Sequence, residues 1–266
     1  MLNIILVAIA ATVLLFMFHP RLTNSSSWQA TLTPLSSIIG SGFLVIAPLL
    51  ASVVGEYSPL AVTAIVLLAY AIGGVIRFNI LHAEPLLQDR ESHPAIYRID
   101  FFANTTLSFA YVTAVAFYLS LLSSFLMNYI GFENSPYLER TLTTIIIVFI
   151  AATGYIRGLG GLEKLEGYSM SVQLSIVAAL LTGVLVYGYH FMQSGETLAF
   201  EYQDRSWITK ACILCGILLV VQGFETSRFL GEKYSAEIRV QTMRRAQLIS
   251  GALYICLLYT SDAADE

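Results

Sequence analysis

The sequence predicts an all-α, polytopic transmembrane helical bundle, and its composition and hydropathy both indicate it. The chain has 266 residues, of which 56% are hydrophobic and only 12% are charged, and its mean hydropathy is +0.71. Soluble domains carry about 25% charged residues. A water-soluble globule of this size could not bury so much apolar surface. Composition therefore excludes a soluble enzyme, a disordered chain and a nucleic-acid-binding protein, which would need a basic face.

Apolar runs divide the chain into membrane-spanning segments. A spanning helix needs about 20 mostly apolar residues. Run 2–18 lacks the basic start and the cleavage site of a signal peptide, so we expect an extra N-terminal helix that is retained. An eighth run begins after Arg245, and no strand pattern typical of a barrel is present. The seven preceding runs are 2–18, 31–55, 58–80, 101–132, 142–155, 168–191 and 207–229.

The last eleven residues, 256–266, read as the translation of a transposase-type sequencing adaptor. The alternative is a polar tail that follows a helix. We expect 256–266 to be non-native and 1–255 to be one transmembrane domain, the N-terminal part of a longer protein. Without this segment 15 acidic and 14 basic side chains leave a net charge of −1 instead of −4, so the charge indicates no partner.

Lysine and arginine predict the orientation, because cytoplasmic loops carry the excess of both. If the loop after the third run is cytoplasmic, eleven of the 14 basic residues lie inside and three lie outside. This bias places the N-terminus outside and the loops 77–100, 157–167 and 230–245 in the cytoplasm. We expect an integral protein of a prokaryotic plasma membrane.

Gly40, Ser41 and Gly42 interrupt the second run near its middle. Glycine in a helix costs about 1 kcal/mol relative to alanine. Unwound main chain at this depth is tolerated only where protein buries it or a cavity adjoins it. Its free N–H groups and the positive end of the next half-helix would hold an anion such as a carboxylate. The alternative is that these small residues only allow close helix packing.

The seventh run carries Gln222, Gly223, Phe224 and Glu225, followed three residues later by Arg228. A charge inside the membrane costs at least about 2.5–3.5 kcal/mol, so Glu225 must be protonated, paired or facing water. One interpretation is a Glu–Arg pair at the helix end. The other makes Glu225 a proton carrier or gate residue beside a second break at Gly223. Two interrupted helices five spans apart are typical of inverted-repeat transporters.

These segments resemble the amino acid–polyamine–organocation (APC) superfamily of permeases. Residues 35–43 are similar to its first core helix with the Gly-Ser-Gly break, 223–225 and the basic stretch to Arg245 resemble its sixth, and 157–164 resembles the lead-in to its fifth. The resemblance implies the first part of a five-helix inverted-repeat (LeuT-like) fold and alternating access. It implies that amides at Gly40, Ser41 and Gly42 hold a substrate carboxylate, and that carbonyls near Gln222, Gly223 and Phe224 take the amino group. Phe224 would act as a lid and Glu225 would couple the cycle.

We therefore expect secondary active transport of an amino acid or related amine through the lipid bilayer, without nucleic acid, metal or cofactor. The coupling ion, H⁺ or Na⁺, stays open. The resemblance implies that a lysine in the fifth core helix would indicate H⁺ and that the eighth core helix would complete a Na⁺ site. Run 168–191 contains no lysine, and the eighth core helix is absent from this sequence. No paired catalytic acids and no H-E-x-x-H or serine–histidine arrangement indicates an enzyme. The alternative function is a non-transporting nutrient sensor or accessory membrane subunit on the same fold.

Overall fold

The computed structural model describes residues 2–40, 42–87, 94–131, 136–194 and 206–262, and within these ranges every regular element is a helix. The predicted all-α class is therefore confirmed. Two 3-10 helices, Gly55–Tyr57 and Phe224–Leu230, accompany the α-helices. The α-helices are α1 (Leu2–Met17), α2 (Pro20–Thr23), α3 (Ser26–Ile38), α4 (Gly42–Val54), α5 (Ser58–His82), α6 (Glu84–Leu87), α7 (Pro94–Ile130), α8 (Pro136–Ser194), α9 (Trp207–Ile217) and α10 (Ala236–Asp262).

Four helical stretches in the described ranges are long and apolar enough to cross a bilayer. Ser26–His82 contains α3, α4 and α5, and Pro94–Ile130 is α7. Pro136–Gly158 and Gly160–His190 are the two parts of α8. The extra N-terminal helix α1 is present but has only 16 residues, slightly fewer than a typical span. These lengths and compositions support an integral membrane protein.

Helix boundaries differ from the apolar runs where polar side chains continue a helix. The Oγ atom of Ser25 accepts a hydrogen bond from the Trp28 N–H group at 3.4 Å, so α3 begins at Ser26 instead of residue 31. Likewise α10 begins at Ala236, and the helix predicted to begin after Arg245 starts ten residues too late. Hydropathy marks where a chain leaves the bilayer, whereas capping and turn residues mark where a helix ends.

The described parts of the three ranges predicted as cytoplasmic loops are largely helical, so the predicted loop conformation is wrong there. Residues 88–93 lie outside the described residues. Range 77–100 includes the end of α5, all of α6 and the start of α7. Range 157–167 lies inside α8, where only Gly158 departs from helical geometry, with φ 62° and ψ −166°. The second half of 230–245 belongs to α10. Basic side chains are good helix formers, so a charged segment need not be a loop.

The chain forms two compact units, residues 1–81 with 166–266 and residues 82–165. In the second unit α7 meets the first part of α8 through a hydrogen bond between the Ser123 and Thr143 hydroxyls at 2.7 Å. Ser123 is fully buried. A second hydrogen bond, from the Ser124 hydroxyl to the Glu139 Oε1 atom at 3.3 Å, joins the same two helices.

In the first unit α5 and α10 pack closely at two glycines. A Cβ atom on Gly73 would overlap the Gln247 side chain, and one on Gly251 would lie 2.8 Å from the Val66 Cγ1 atom. Gln247 donates through Nε2 to the Ala69 carbonyl at 2.9 Å and accepts a hydrogen bond from Arg77. The two helices are therefore joined by close packing and by a polar chain.

Candidate functional site

The first predicted break is present between α3 and α4. Helix α3 ends at Ile38, and Ile39 has non-helical angles of φ −87° and ψ 54°. The Ile39 N–H group still donates to the Leu35 carbonyl at 2.9 Å, and the Phe43 N–H group donates to the Gly40 carbonyl at 3.1 Å. Helix α4 then begins at Gly42. Ser41, the third predicted ligand here, lies outside the described residues.

Side chains from distant helices donate hydrogen bonds to the carbonyls that have no helical donor at this break. The amide nitrogen of Gln173, on α8, donates to the Ile39 carbonyl. The Tyr254 hydroxyl, on α10, lies 2.8 Å from the Ile38 carbonyl. Helix ends leave carbonyls without intrahelical donors, and buried carbonyls need donors from elsewhere. Donors from two other helices therefore satisfy the carbonyls at this break.

The second break is longer and follows α9. This helix ends at Ile217, and the next three N–H groups make tighter bonds to carbonyls three residues back, including Val220 to Ile217 at 2.9 Å. Gly223 has φ +114° and ψ −14°, and a 3-10 helix follows from Phe224 to Leu230. The predicted break at Gly223 is therefore present, but the α-helix already ends six residues before it. A left-handed φ of this kind favours glycine.

Glu225 is buried beside this turning point. Its Oε2 atom accepts a hydrogen bond from the Gly223 N–H group at 2.9 Å, and the Thr226 hydroxyl donates to the Gly223 carbonyl at 2.6 Å. Both main-chain groups of Gly223 are therefore bonded locally. The carboxylate bonds back to the main chain of the residue that precedes the 3-10 helix, a role that neither sequence interpretation of Glu225 included.

The two breaks lie against each other. A Cβ atom on Gly42 would lie 2.7 Å from the Val220 Cγ1 atom, and one on Gly223 would lie 2.6 Å from the Ser37 carbonyl carbon. Each break thus contacts the other through a glycine that leaves no room for a side chain. Phe224 is buried, whereas Gln222 is exposed. The structure brings Gly40, Gly42, Gly223, Phe224 and Glu225 into one region.

Tyr254 joins the two breaks. Its side chain is fully buried, and its hydroxyl lies 2.8 Å from the Ile38 carbonyl and 3.1 Å from the Val220 carbonyl. Its ring packs against Phe43 with a centroid distance of 5.1 Å. Sequence analysis missed this residue because a tyrosine in an apolar helix gives no local sign of a distant partner.

An open cavity of about 550 Å³ borders the first break. Gly40 and Phe43 line it on one side, and Tyr168 and Gln173 of α8 line it on the other. Cavities that bind small molecules commonly measure about 300–1,000 Å³. Gln173 was not among the predicted site residues, although a polar side chain in the apolar run 168–191 is a signal that could have indicated it.

A second carboxylate holds the half-helix α3. Thr33 donates to the Glu166 Oε2 atom at 3.0 Å, and Ser36 donates to Oε1 at 2.5 Å. Thr33 and Ser36 are three residues apart and share one face of α3. Glu166 was not a candidate in the sequence, because it lies in a charged segment that hydropathy assigned to a loop.

Two interrupted helices that contact each other are typical of membrane transporters whose substrate sites lie at broken helices. A family profile described as APC superfamily transporter matches residues 20–263. The chain belongs to this APC superfamily transporter family, and the predicted resemblance is confirmed.

A relative from Aquifex aeolicus (strain VF5), described as an uncharacterized protein, is 45% identical over 250 residues. That alignment covers 92% of this chain but only 60% of the relative, so the chain spans well under two thirds of the relative's length. No solved structure matches the chain. The family therefore supports transport, and the substrate has to be argued from the site.

Proposed function

We propose that the protein moves an amino acid or related amine across the membrane by secondary active transport, with alternating access around the two breaks. One observation carries this proposal. Two interrupted helices contact each other through Gly42 and Gly223, so the N-terminal end of one half-helix and the C-terminal ends of two others lie in the same region. A zwitterion needs N–H donors for its carboxylate and carbonyl acceptors for its amino group. The family to which the chain belongs supports transport.

The carboxylate side of the proposed site is the start of α4. This helix has 13 residues, and its first N–H groups have no intrahelical acceptors. Its N-terminus carries about half a positive elementary charge. We assign the amides of Gly40, Ser41 and Gly42 to the substrate carboxylate. The cavity of about 550 Å³ beside Gly40 offers an approach.

The amino side of the proposed site is the second break. We assign carbonyls near Gln222, Gly223 and Phe224 to the amino group and the buried Phe224 ring to the lid. The Gly223 carbonyl already accepts from Thr226, but a carbonyl oxygen has a second lone pair. Exposure of the Gln222 side chain is compatible with this assignment, because only its main chain is required.

Glu225 is proposed as the coupling residue, with H⁺ or Na⁺ as the driving ion. Its carboxylate is buried and bonded to the main chain of the second break. A change in its charge would therefore act directly on Gly223. For the membrane, we keep the N-terminus outside and the basic segments within 77–100, 157–167 and 230–245 in the cytoplasm of a prokaryotic cell.

The test is uptake of radiolabelled amino acids, supplied first as a mixture of all twenty, by proteoliposomes that contain the full-length transporter. Gly42→Leu should abolish uptake and leave membrane insertion intact, because the new side chain would enter the space of Val220. Gly216→Leu is the matched control, since no atom lies within 4 Å of a Cβ there.

Normal uptake by Gly42→Leu would refute the site. Absence of uptake by the unaltered protein, together with saturable binding of an amino acid, would instead favour the nutrient sensor. Binding is measured in the same detergent-solubilised sample by equilibrium dialysis. The two functions are thus separated by whether the bound amino acid crosses the membrane.

A further inference from the structure

We propose that Tyr254 is a positioning residue that fixes the spacing of the two breaks and thereby preorganises the main chain of the transport site. This proposal rests on the proposed function and adds a residue that contacts the breaks instead of the substrate. Tyr254 lies on α10, outside both interrupted helices. Its hydroxyl is the point at which carbonyls from both breaks converge.

Both carbonyls lie at or just beyond the C-terminal end of a helix. Ile38 is the last residue of α3, and Val220 lies three residues after the end of α9. Each helix C-terminus carries about half a negative elementary charge. Two such ends repel each other when they approach in a buried region. A hydroxyl donor between them offsets this repulsion.

Hydrogen-bond acceptors outnumber donors at this point. A tyrosine hydroxyl has one proton, whereas the Ile38 and Val220 carbonyls together have four lone pairs. Tyr254 therefore holds the two oxygens near one point and leaves acceptor capacity at both. An ammonium group arriving at the second break would meet acceptors that are already in place. Preorganisation of this kind reduces the ordering cost of binding.

Packing keeps the hydroxyl in position. The Tyr254 side chain is fully buried, and its ring lies against Phe43 of α4 at a centroid distance of 5.1 Å. Phe43 directly follows Gly42, so the same tyrosine contacts both sides of the first break. A ring fixed by packing and a hydroxyl fixed by two carbonyls leave little rotational freedom. Removal of the hydroxyl alone should therefore change spacing without changing shape.

The first arm of the experiment does not depend on transport. Hydrogen–deuterium exchange is measured on full-length protein for peptides that cover 35–45 and 217–224. Tyr254→Phe should accelerate exchange in both peptides about three- to tenfold, the effect of one lost buried hydrogen bond. Tyr57→Phe is the control, because Tyr57 lies in the same unit with 70% of its surface exposed. Unchanged exchange in either peptide would overturn the proposal.

The second arm measures uptake of whichever amino acid the unaltered protein transports from the labelled mixture. Tyr254→Phe should raise KM about three- to tenfold and change the maximal rate by less than twofold, because preorganisation acts on binding. A lowered maximal rate at unchanged KM would contradict a positioning role. If the unaltered protein transports none of the twenty, the proposed function fails while the exchange result still decides the role of Tyr254.

Loss of folding is kept apart from both readouts. The melting temperature and the gel-filtration profile of Tyr254→Phe are compared with those of Tyr57→Phe. Phe43→Leu, which weakens ring packing but keeps the hydroxyl, serves as the second variant. It should accelerate exchange less than Tyr254→Phe does. An equal or larger acceleration would assign the effect to ring packing and overturn the role of the hydroxyl.

Discussion

Both breaks interrupt a helix, but the groups that bond the main chain differ between them. At the first break the main chain keeps a negative φ at Ile39. The Ile38 and Ile39 carbonyls accept hydrogen bonds from Tyr254 and Gln173 of distant helices. At the second break Gly223 adopts φ +114°, and its own main-chain groups are bonded by Glu225 and Thr226. The carbonyls of the first break are thus bonded from distant helices, whereas Gly223 at the second break is bonded by its own neighbours in the sequence.

This difference predicts how each break responds to substitution. A locally specified turn fails when its own residue changes, because no neighbour can relieve a strained φ. A turn held by tertiary contacts fails when a remote donor is removed, and it recovers when a neighbour makes room. The four substitutions below test this distinction, beginning with the one of largest expected effect.

Gly223→Ala should be the most damaging substitution. A Cβ atom there adopts a disfavoured positive φ and lies 2.6 Å from the Ser37 main-chain carbon, so both strain and overlap act. We expect a loss of about 3 kcal/mol or more and no uptake. Thermal unfolding of the purified protein and proteoliposome uptake measure the two effects. Gly216→Ala, in α9, should be neutral or slightly stabilising, and equal behaviour of the two variants would show that the second break has no special strain.

Gly42→Ala should destabilise by about 1–3 kcal/mol, because its Cβ atom would lie 2.7 Å from the Val220 Cγ1 atom. The contact atom belongs to a side chain, so Val220→Ala should restore the melting temperature of the double variant. The double-mutant cycle measures this coupling. If the two changes are simply additive, the breaks are not in contact through these residues.

Gln173→Leu tests the remote donor at the first break. The Ile39 carbonyl would lose the donor from α8, at a cost of about 1–3 kcal/mol for a buried group. We expect a lower melting temperature and a raised KM for uptake. Gln193→Leu, at an exposed position of α8, is the matched control. Indistinguishable melting temperatures would mean that the first break does not need the Gln173 donor.

Glu225→Gln should have the smallest effect on stability, below about 1 kcal/mol, since the amide oxygen can still accept from the Gly223 N–H group. Transport should nevertheless slow or change its pH profile if Glu225 couples the cycle. Initial uptake rates across pH 5 to 8 measure this, with the exposed Glu56→Gln as the control. An unchanged rate together with an unchanged profile would remove Glu225 from the mechanism.

Sequence reasoning located both breaks because glycine is a local signal. The Gly40 to Gly42 segment and Gly223 were each identified from residue type and membrane depth, and the structure places a helix interruption at both. Sequence reasoning could not identify the distant residues that bond to these breaks. Tyr254 is more than 200 positions from Ile38, and no periodicity within α10 indicates that its hydroxyl meets two helix ends.

Helix boundaries failed for a related reason. Apolar runs predicted where a segment lies in the bilayer, but α10 continues through a basic stretch and α8 continues past Gly158. The unwound length after α9 was also missed, since the residues before Gly223 are ordinary helix formers. Contacts with Ser37 and Tyr254 and the local bond from Glu225 accompany it, and the first two lie far away in the sequence.

The close approach of α5 and α10 limits which movements the molecule can make. Gly73 and Gly251 each leave no space between the two helices, and Gln247 bonds to the main chain of α5. A side chain at either glycine would therefore collide with the facing helix. Because Tyr254 lies three residues after Gly251 on α10, a larger residue at Gly73 or Gly251 is expected to displace the helical segment that holds its hydroxyl beside the Ile38 and Val220 carbonyls.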